Sequence, residues 1–391
     1  MIAGAERTIM RNQPILIAGG GLASLCLAHG LKRAGLPFAV YQPTDAARAY
    51  DAGYRLRIDA AGQEALARCL PIDLLYLLYQ TASIADSDPW SVDPNLKSLS
   101  ARAPEKPEGM AKGLCDLCVY PETLRRILLC GIAPHVRPGY GLRASEETPE
   151  GIVALFDNGE RATGRLLVGA ESALSAIGEP APPEHTDTRY ICGKVPATAE
   201  NCQAFGRLLC AGTTIVIDDG VAALIDIMTF RRSFGSMASE ISGDCVLPPV
   251  ADHVYWEVYG PRLRKELNGS TGAMARAIAS LTRYWAPALQ AIFARSDPRD
   301  WRIRTAATAP SARIDTSDRV TQLGTPVDAP QPSSGLGLRL ALQDAADLAH
   351  RLASAGEDSD AAILVGYRTA AHERWRRATR TLGSGDRLIA A

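Results

Sequence analysis

The sequence predicts an α/β protein in which an N-terminal parallel-sheet domain carries a sheet-rich insertion and is completed by C-terminal helices. Three observations predict it: a strand–glycine–helix–strand unit at Pro14 to Gln42, a block of alternating strands from Thr188 to Tyr259, and two long helical stretches after Gly335. The first unit carries the most information. Ile15-Leu16-Ile17-Ala18 is a short apolar run of the kind that forms a buried parallel strand. Gly19-Gly20-Gly21 follows, then Leu22, Leu25, Cys26, Leu27 and Leu31 at helical spacing, Gly35 as a stop, and Phe38-Ala39-Val40-Tyr41 as a second strand.

This is a Rossmann-like βαβ unit, whose glycines let main-chain N–H groups at a helix N-terminus approach a pyrophosphate. Two positions depart from the G-x-G-x-x-G pattern. Gly19 and Gly21 fit, but the third position is Ser24. The acidic residue expected about 20 residues further on, where it accepts from a ribose, is Gln42. Asp45 lies past the strand end.

Further along, Gly53-Tyr54-Arg55-Leu56-Arg57-Ile58 alternates like a strand and Ala60 to Cys69 reads as a helix closed by Pro71. Thr123 to Leu129 is a helix with Pro121 at a plausible first position. Ile152 to Phe156 and Arg165 to Val168 are strands beside the turn at Asp157-Asn158-Gly159. Strands at Tyr190 to Val195, Thr214 to Asp218, Ala222 to Phe230 and His253 to Tyr259 define the insertion. Val320 to Gly324 returns to a buried strand, and Gly335 to Ala353 and Ala361 to Thr381 are helices.

These readings divide the chain into a flexible N-terminal extension (1–12) and a Rossmann-like domain with C-terminal helices (13–85, 114–185 and 302–391). They leave a loop or lid at 86–113, rich in Pro, Ser, Asp and Lys, and a substrate domain at 186–301.

Composition narrows the function classes. The 391 residues are 47% hydrophobic, enough for a large core, and the net charge of −1 steers the chain toward neither nucleic acid nor an anionic membrane. No apolar run approaches the ~18 residues of a membrane span. Nine cysteines without framework spacing are expected to be reduced thiols in a cytoplasmic protein, and Cys115-Asp116-Leu117-Cys118 is a lone CxxC with no metal partner. The histidines show no ligand or triad spacing, and no metal site is expected.

The order of motifs resembles the FAD-dependent aromatic-hydroxylase-type monooxygenases, the para-hydroxybenzoate hydroxylase fold, in its fungal natural-product branch. The residues that carry the resemblance are the N-terminal glycines, the GYRLRI segment, Thr123 to Leu129, Leu166-Leu167-Val168-Gly169-Ala170, Leu323-Gly324, Gly335, Gly337 and Ala341-Leu342-Gln343-Asp344-Ala345. The resemblance implies the flavin monooxygenase fold over nearly the whole chain. It also implies degenerate FAD motifs. The family's Gly-Ala-Asp-Gly is Gly169-Ala170-Glu171-Ser172, and its Gly-Asp is Gly324-Thr325 with Asp328 in place of a His. An Arg that contacts the cofactor aligns with Pro121, and an Asn near the flavin ring aligns with Arg339.

The foremost expectation is therefore a repurposed scaffold without a cofactor: a cyclase or isomerase of Diels–Alder type, as in norbornene-forming Diels–Alderases, acting on an apolar polyketide- or terpene-like intermediate. An FAD-dependent monooxygenase (hydroxylase or epoxidase) with atypical contacts and a non-catalytic pseudoenzyme are the alternatives. If FAD binds, Gly19, Gly21, Ser24, Gln42 and Thr325 hold it. Candidate catalytic residues are Arg339, Tyr190, Lys194 and Asp226, and candidate substrate contacts are Cys192, Met228 and Trp256. Strand alternation places Tyr190, Cys192 and Lys194 on one face, and Asp226 with Met228. The expected partner is a small apolar molecule.

Overall fold

A computed structural model describes residues 12–44, 53–84, 90–99, 115–170, 173, 189–206, 208–210, 212–231, 245–260, 263, 270–305, 317–324, 335–356 and 359–385. The apolar run at the N-terminus forms β1 (Ile15–Ala18), buried at every residue. It is the middle strand of a five-stranded parallel sheet with β2 (Phe38–Gln42), β7 (Val136–Pro138), β11 (Leu166–Ala170) and β17 (Val320–Leu323), in the order β17-β11-β1-β2-β7. Strands buried on both faces need no alternation, which is why β1 and β11 read as continuous apolar runs.

Helix α1 (Leu22–Arg33) buries every residue from Leu22 to Leu31. Around it pack α2 (Ala60–Cys69), α3 (Ile72–Thr81), α4 (Pro121–Leu129) and α8 (Leu336–Ala353), which share one apolar core with it. Gly30 permits the closest of these approaches, since a Cβ there would lie 2.5 Å from the Cβ of Ala349 on α8. Beside the parallel sheet stand two small antiparallel sheets. One is β8 (Leu142–Thr148), β9 (Gly151–Phe156) and β10 (Arg161–Gly164); the other is β3 (Leu56–Ile58), β6 (Leu117–Val119) and β4 (Ser83–Ile84).

The insertion is a six-stranded sheet in the order β16-β12-β15-β14-β13-β5. Its strands are β12 (Arg189–Pro196), β13 (Thr214–Asp218), β14 (Val221–Met228) and β15 (His253–Tyr259), with β5 (Trp90–Val92) and β16 (Arg302–Thr305) at the edges. Helices α5 (Ala199–Phe205), α6 (Thr271–Leu281) and α7 (Pro287–Arg295) contribute to a core with one face of this sheet, centred on Trp256, Trp285, Phe293 and Trp301.

Two expected boundaries shift. β5 falls within the segment read as a loop or lid, because its parallel partner β13 lies more than a hundred residues away and local composition does not report it. β16 lies beyond residue 301 and pairs with β12. The rest of the lid (86–89 and 100–113), the N-terminal residues 1–11, and Asp45, Glu171, Ser172, Thr325 and Asp328 lie outside the described residues.

The last helix, α9 (Asp360–Gly385), is tied to α8 by Arg374, which bonds Asp344 at 2.8 Å and Asp347 at 3.1 Å. The cysteine expectation also needs correction: Cys130, at the end of α4, is disulfide-bonded to Cys245, with Cα atoms 5.4 Å apart. Seven other cysteines are free thiols, five of them at partly or fully buried positions outside the CxxC. Among the described residues no helix is long and apolar enough to cross a membrane, and no His, Cys, Asp and Glu group could hold a metal ion.

Candidate functional site

Two regions hold the residues picked out from the sequence: the glycine turn after β1, and the face of the six-stranded sheet opposite its helices. At the turn, Gly19 has φ +124° and any Cβ would lie 2.6 Å from the Ala170 carbonyl oxygen, so only glycine fits. Its N–H donates to Tyr41 O at 2.9 Å, which ties the turn to β2. Gly21 caps α1 with no side-chain acceptor, and the first turn of α1 contains no acidic residue.

Ser24 is fully buried and its Oγ has no hydrogen-bond partner. The hydroxyl stands where the glycine pattern would have nothing. Gln42, at the end of β2, is 4% exposed and folds over Gly20, where a Cβ would lie 2.6 Å from its Cδ. Arg125 of α4 donates from Nη2 to Gln42 Oε1 at 3.2 Å. A guanidinium can only donate, so this bond fixes the amide oxygen toward Arg125 and turns the NH2 away. That Nε2 is buried without a partner.

Gly335 begins α8 in the left-handed region at φ +72°, pressed against the Arg57 carbonyl. Arg339, one turn into α8, bonds Asp59 Oδ2 at 2.9 Å. Asp59 also caps α2, accepting from Gly62 N at 2.9 Å, so the pair locks α8 to α2. Asp344 is held by Arg374 instead, and burial pushes its carboxyl up to about 6.

On the sheet, the expected alternation holds in register. β12 and β14 flank β15, giving the rows Tyr190–Tyr259–Ala222, Cys192–Glu257–Leu224 and Lys194–Tyr255–Asp226. Cys192 and Met228 pack together with Tyr54, Cys118, Leu224 and Tyr255. Tyr190 belongs to a separate small cluster with Ala222 and Tyr259.

Trp256 does not join them. It points to the opposite face, fully buried, with its indole N–H donating to Ser296 Oγ at 3.0 Å and its ring edge-on to Phe293 and Trp301. It is a core residue, as strand alternation requires once its neighbours 255 and 257 face the other way.

Asp226 is not a free carboxylate. It bonds Arg55 Nε at 2.6 Å, with both side chains almost wholly buried, and accepts from Thr213 Oγ1 at 3.1 Å and Cys118 Sγ at 3.5 Å. The pair ties the GYRLRI segment to the substrate sheet. Lys194 has the opposite character. Its ammonium lies 4.7 Å from the centre of the Tyr54 ring and 5.8 Å from that of Tyr120, and among the described residues it has no ion pair. A cation held by aromatic faces and lacking a counter-ion is available to a substrate oxygen.

Sequence reasoning passed over three members of this cluster. Tyr54 anchors itself through a 2.5 Å bond from its hydroxyl to Asp300 O, and burial pushes its phenol up. Tyr120 supplies the second ring. His253, diagonal to Lys194 across the strands, donates from Nδ1 to Ala251 O at 2.9 Å, which leaves Nε2 as a buried acceptor without a partner. Burial lowers its pKa, and Lys194 acts in the same direction. Only the three-dimensional register brings these residues to Lys194; no local spacing announces it.

The comparisons with known proteins bear on the whole fold. No family model matches the chain. It is 30% identical over 90% of its length to the dual O-methyltransferase/FAD-dependent monooxygenase elcB of Phaeosphaeria nodorum, covering 42% of that protein. It is 25% identical over 94% of its length to the dual O-methyltransferase/FAD-dependent monooxygenase of Cercospora beticola, covering 45% of it. The chain thus spans less than half the length of these curated relatives. The solved 2,6-dihydroxypyridine-3-hydroxylase of Arthrobacter nicotinovorans superposes with TM-score 0.67 at 14% identity, covering 97% of this chain and 96% of that one.

The fold is that of the FAD-dependent aromatic-hydroxylase-type monooxygenases. By sequence, the chain is a relative of fungal FAD-dependent monooxygenases.

Tested against FAD, the described residues keep the glycine turn and the uncapped N-terminus of α1. At the end of β2 an amide, Gln42, stands where the pattern has a carboxylate, and its oxygen accepts from Arg125 at 3.2 Å. At the flavin end they offer a guanidinium bonded to Asp59. Among the described residues the chain thus keeps the glycine turn of an FAD site, with a neutral amide in place of the ribose carboxylate.

Proposed function

We propose that the chain is an enzyme acting on an apolar polyketide- or terpene-like intermediate, cyclising or isomerising it without a flavin. The observation that carries this reading is Lys194: a cation without an ion pair among the described residues, held between Tyr54 and Tyr120 on the sheet face. Two positions that meet the dinucleotide in the resembling family, one at the adenosine ribose and one at the flavin ring, are engaged elsewhere, Gln42 with Arg125 and Arg339 with Asp59.

The chemistry follows from the side chains. Tyr120 and Phe230, partly buried over Tyr54, Met228 and Cys192, offer aromatic surface against which a flexible substrate is held folded, and holding it so removes part of the entropic barrier. Lys194 donates to a substrate carbonyl, and that bond strengthens as the oxygen gains negative character in the transition state. Asp226, ion-paired with Arg55, ties the sheet to the GYRLRI segment. Tyr190 lies apart from Lys194, in the neighbouring cluster.

The test is turnover of candidate polyene and dicarbonyl substrates, followed by mass spectrometry, with neither flavin nor nicotinamide added. Lys194→Met should lower the rate about 10²-fold while leaving the melting curve unchanged. Turnover that appears only after FAD and NADPH are supplied would sink the proposal.

The second reading, an FAD-dependent monooxygenase with atypical contacts, is favoured by a specific observation: the relative that is 30% identical over 90% of this chain carries that name.

A further inference from the structure

Of the seven free thiols, Cys26, Cys69, Cys118 and Cys192 are buried and Cys115 is exposed, while Cys202 and Cys210 are half-buried. These last two lie together on the helical side of the inserted sheet. Cys202 is in the last turn of α5, and Cys210 ends the short 3-10 helix Leu208–Cys210 that follows. Gly206 turns the chain back between them at φ +82°, a conformation that favours glycine. The turn brings Cys210 Sγ to 4.0 Å from the Cys202 carbonyl oxygen, which already accepts from Gly206 N at 3.0 Å. The two thiols are in hydrogen-bond contact with each other. Phe205 and Leu209 are fully buried in the core of the sheet, so the turn is anchored at both ends. Among the described residues no third His, Cys, Asp or Glu completes a metal site around the pair.

We propose that Cys202 and Cys210 are an oxidisable dithiol, a modification site at which a low-molecular-weight disulfide of the glutathione type closes the pair to a disulfide bond. In the first step the Cys202 thiolate bonds to one sulfur of the small disulfide and the other sulfur leaves as a thiolate. In the second, Cys210 loses its proton and attacks Cys202 Sγ, forming the internal bond and expelling the second small thiol. The two protein thiols give up two electrons and two protons, and the small disulfide takes them to become two thiols. Burial pushes the Cys210 thiol up to about 12, so Cys210 keeps its proton until the second step. Cys115 differs. Its CxxC companion Cys118 is buried and donates to Asp226 Oδ2 at 3.5 Å, so it does not resolve a mixed disulfide formed at Cys115.

Closure would be felt beyond the turn. Asn201 donates from Nδ2 to Pro196 O at 2.9 Å, and its Oδ1 accepts from Arg295 of α7 at 2.9 Å. Helix α5 thereby braces the end of β12, two residues beyond Lys194.

Treatment of the full chain with oxidised glutathione, without denaturant, followed by non-reducing digestion and mass spectrometry, tests this. The Cys202 and Cys210 peptides should appear linked, about 2 Da lighter than their sum and free of glutathione, whereas Cys115 retains its adduct. Cys210→Ser should hold glutathione on Cys202, and in Cys202→Ser the modification of Cys210 should be at least about tenfold slower than closure in the parent. In the linked form the α5 amides should exchange with deuterium at least about tenfold more slowly than in the reduced form. Glutathione retained on Cys202 in the parent, both thiols left unmodified, a link that forms only in urea, or unchanged exchange in α5 would each overturn the inference. So would a Cys202→Ser variant whose Cys210 reacts at the parent's rate. None of these readouts needs a substrate or a flavin, so they stand apart from the proposed function.

Discussion

Replacing Arg55 by Met should unfold the substrate sheet's junction with the Rossmann-like domain. The Arg55 and Asp226 side chains are 2% and 4% exposed and meet at 2.6 Å. Removing the guanidinium leaves a carboxylate in a dry environment with only Thr213 Oγ1 at 3.1 Å and Cys118 Sγ at 3.5 Å for company. Breaking a buried pair from one side costs about 3–5 kcal/mol, because the remaining charge is uncompensated. Replacing both partners with apolar groups of similar volume is far milder. Arg55→Met combined with Asp226→Leu should therefore lie within about 1.5 kcal/mol of the parent. Urea unfolding followed by tryptophan fluorescence suits the question, since Trp256, Trp285 and Trp301 all lie in the core of that sheet. A single variant that loses less than about 1 kcal/mol, or a double variant as unstable as the single, would refute the reasoning.

Other outcomes follow from buried groups elsewhere. Ser24→Ala removes a hydroxyl that is buried without a partner and should stabilise the chain by about 1 kcal/mol in the same unfolding assay. Asp344 is raised from its ordinary 3.8 to about 6 by burial, against the pull of Arg374, so the folded state binds that proton more tightly than the unfolded chain. Its contribution is fully present below about pH 4 and is lost as pH rises through about 6, and relative to Asp344→Asn the parent should lose about 3 kcal/mol across that window. Cys130 and Cys245 should appear as one linked peptide pair in non-reducing digests, and Cys130→Ser should cost about 2–4 kcal/mol.

Much of the fold was legible because its signals are local. The continuous apolar runs of β1 and β11 and the glycines between β1 and α1 state a parallel sheet, and the helix from Ala60 to Cys69 falls where its spacing and Pro71 place it. The misses share a cause. α3 is apolar on most of its length, so its period is hidden, and β5 and β16 exist only because β13 and β12 offer them edges from far away in the chain.

The site divides the same way. Alternation put Cys192 on the face of Lys194 and Met228 on that of Asp226, but it could not supply Tyr54 and Tyr120, which reach the sheet from elsewhere in the chain. Nor could it say that Asp226 meets Arg55 or that Arg339 meets Asp59, partners 171 and 280 residues distant. The partner of a charge decides whether it is chemistry or scaffold, and that partner is a tertiary fact.

The most direct measurement is the visible absorption spectrum of the freshly purified chain, followed by titration with FAD. A colourless protein with no saturable FAD binding is the predicted result, and it would place the chemistry with Lys194 and its aromatic neighbours. A yellow protein with flavin bands, or micromolar FAD binding, would contradict the flavin-free account and make the monooxygenase reading the correct one.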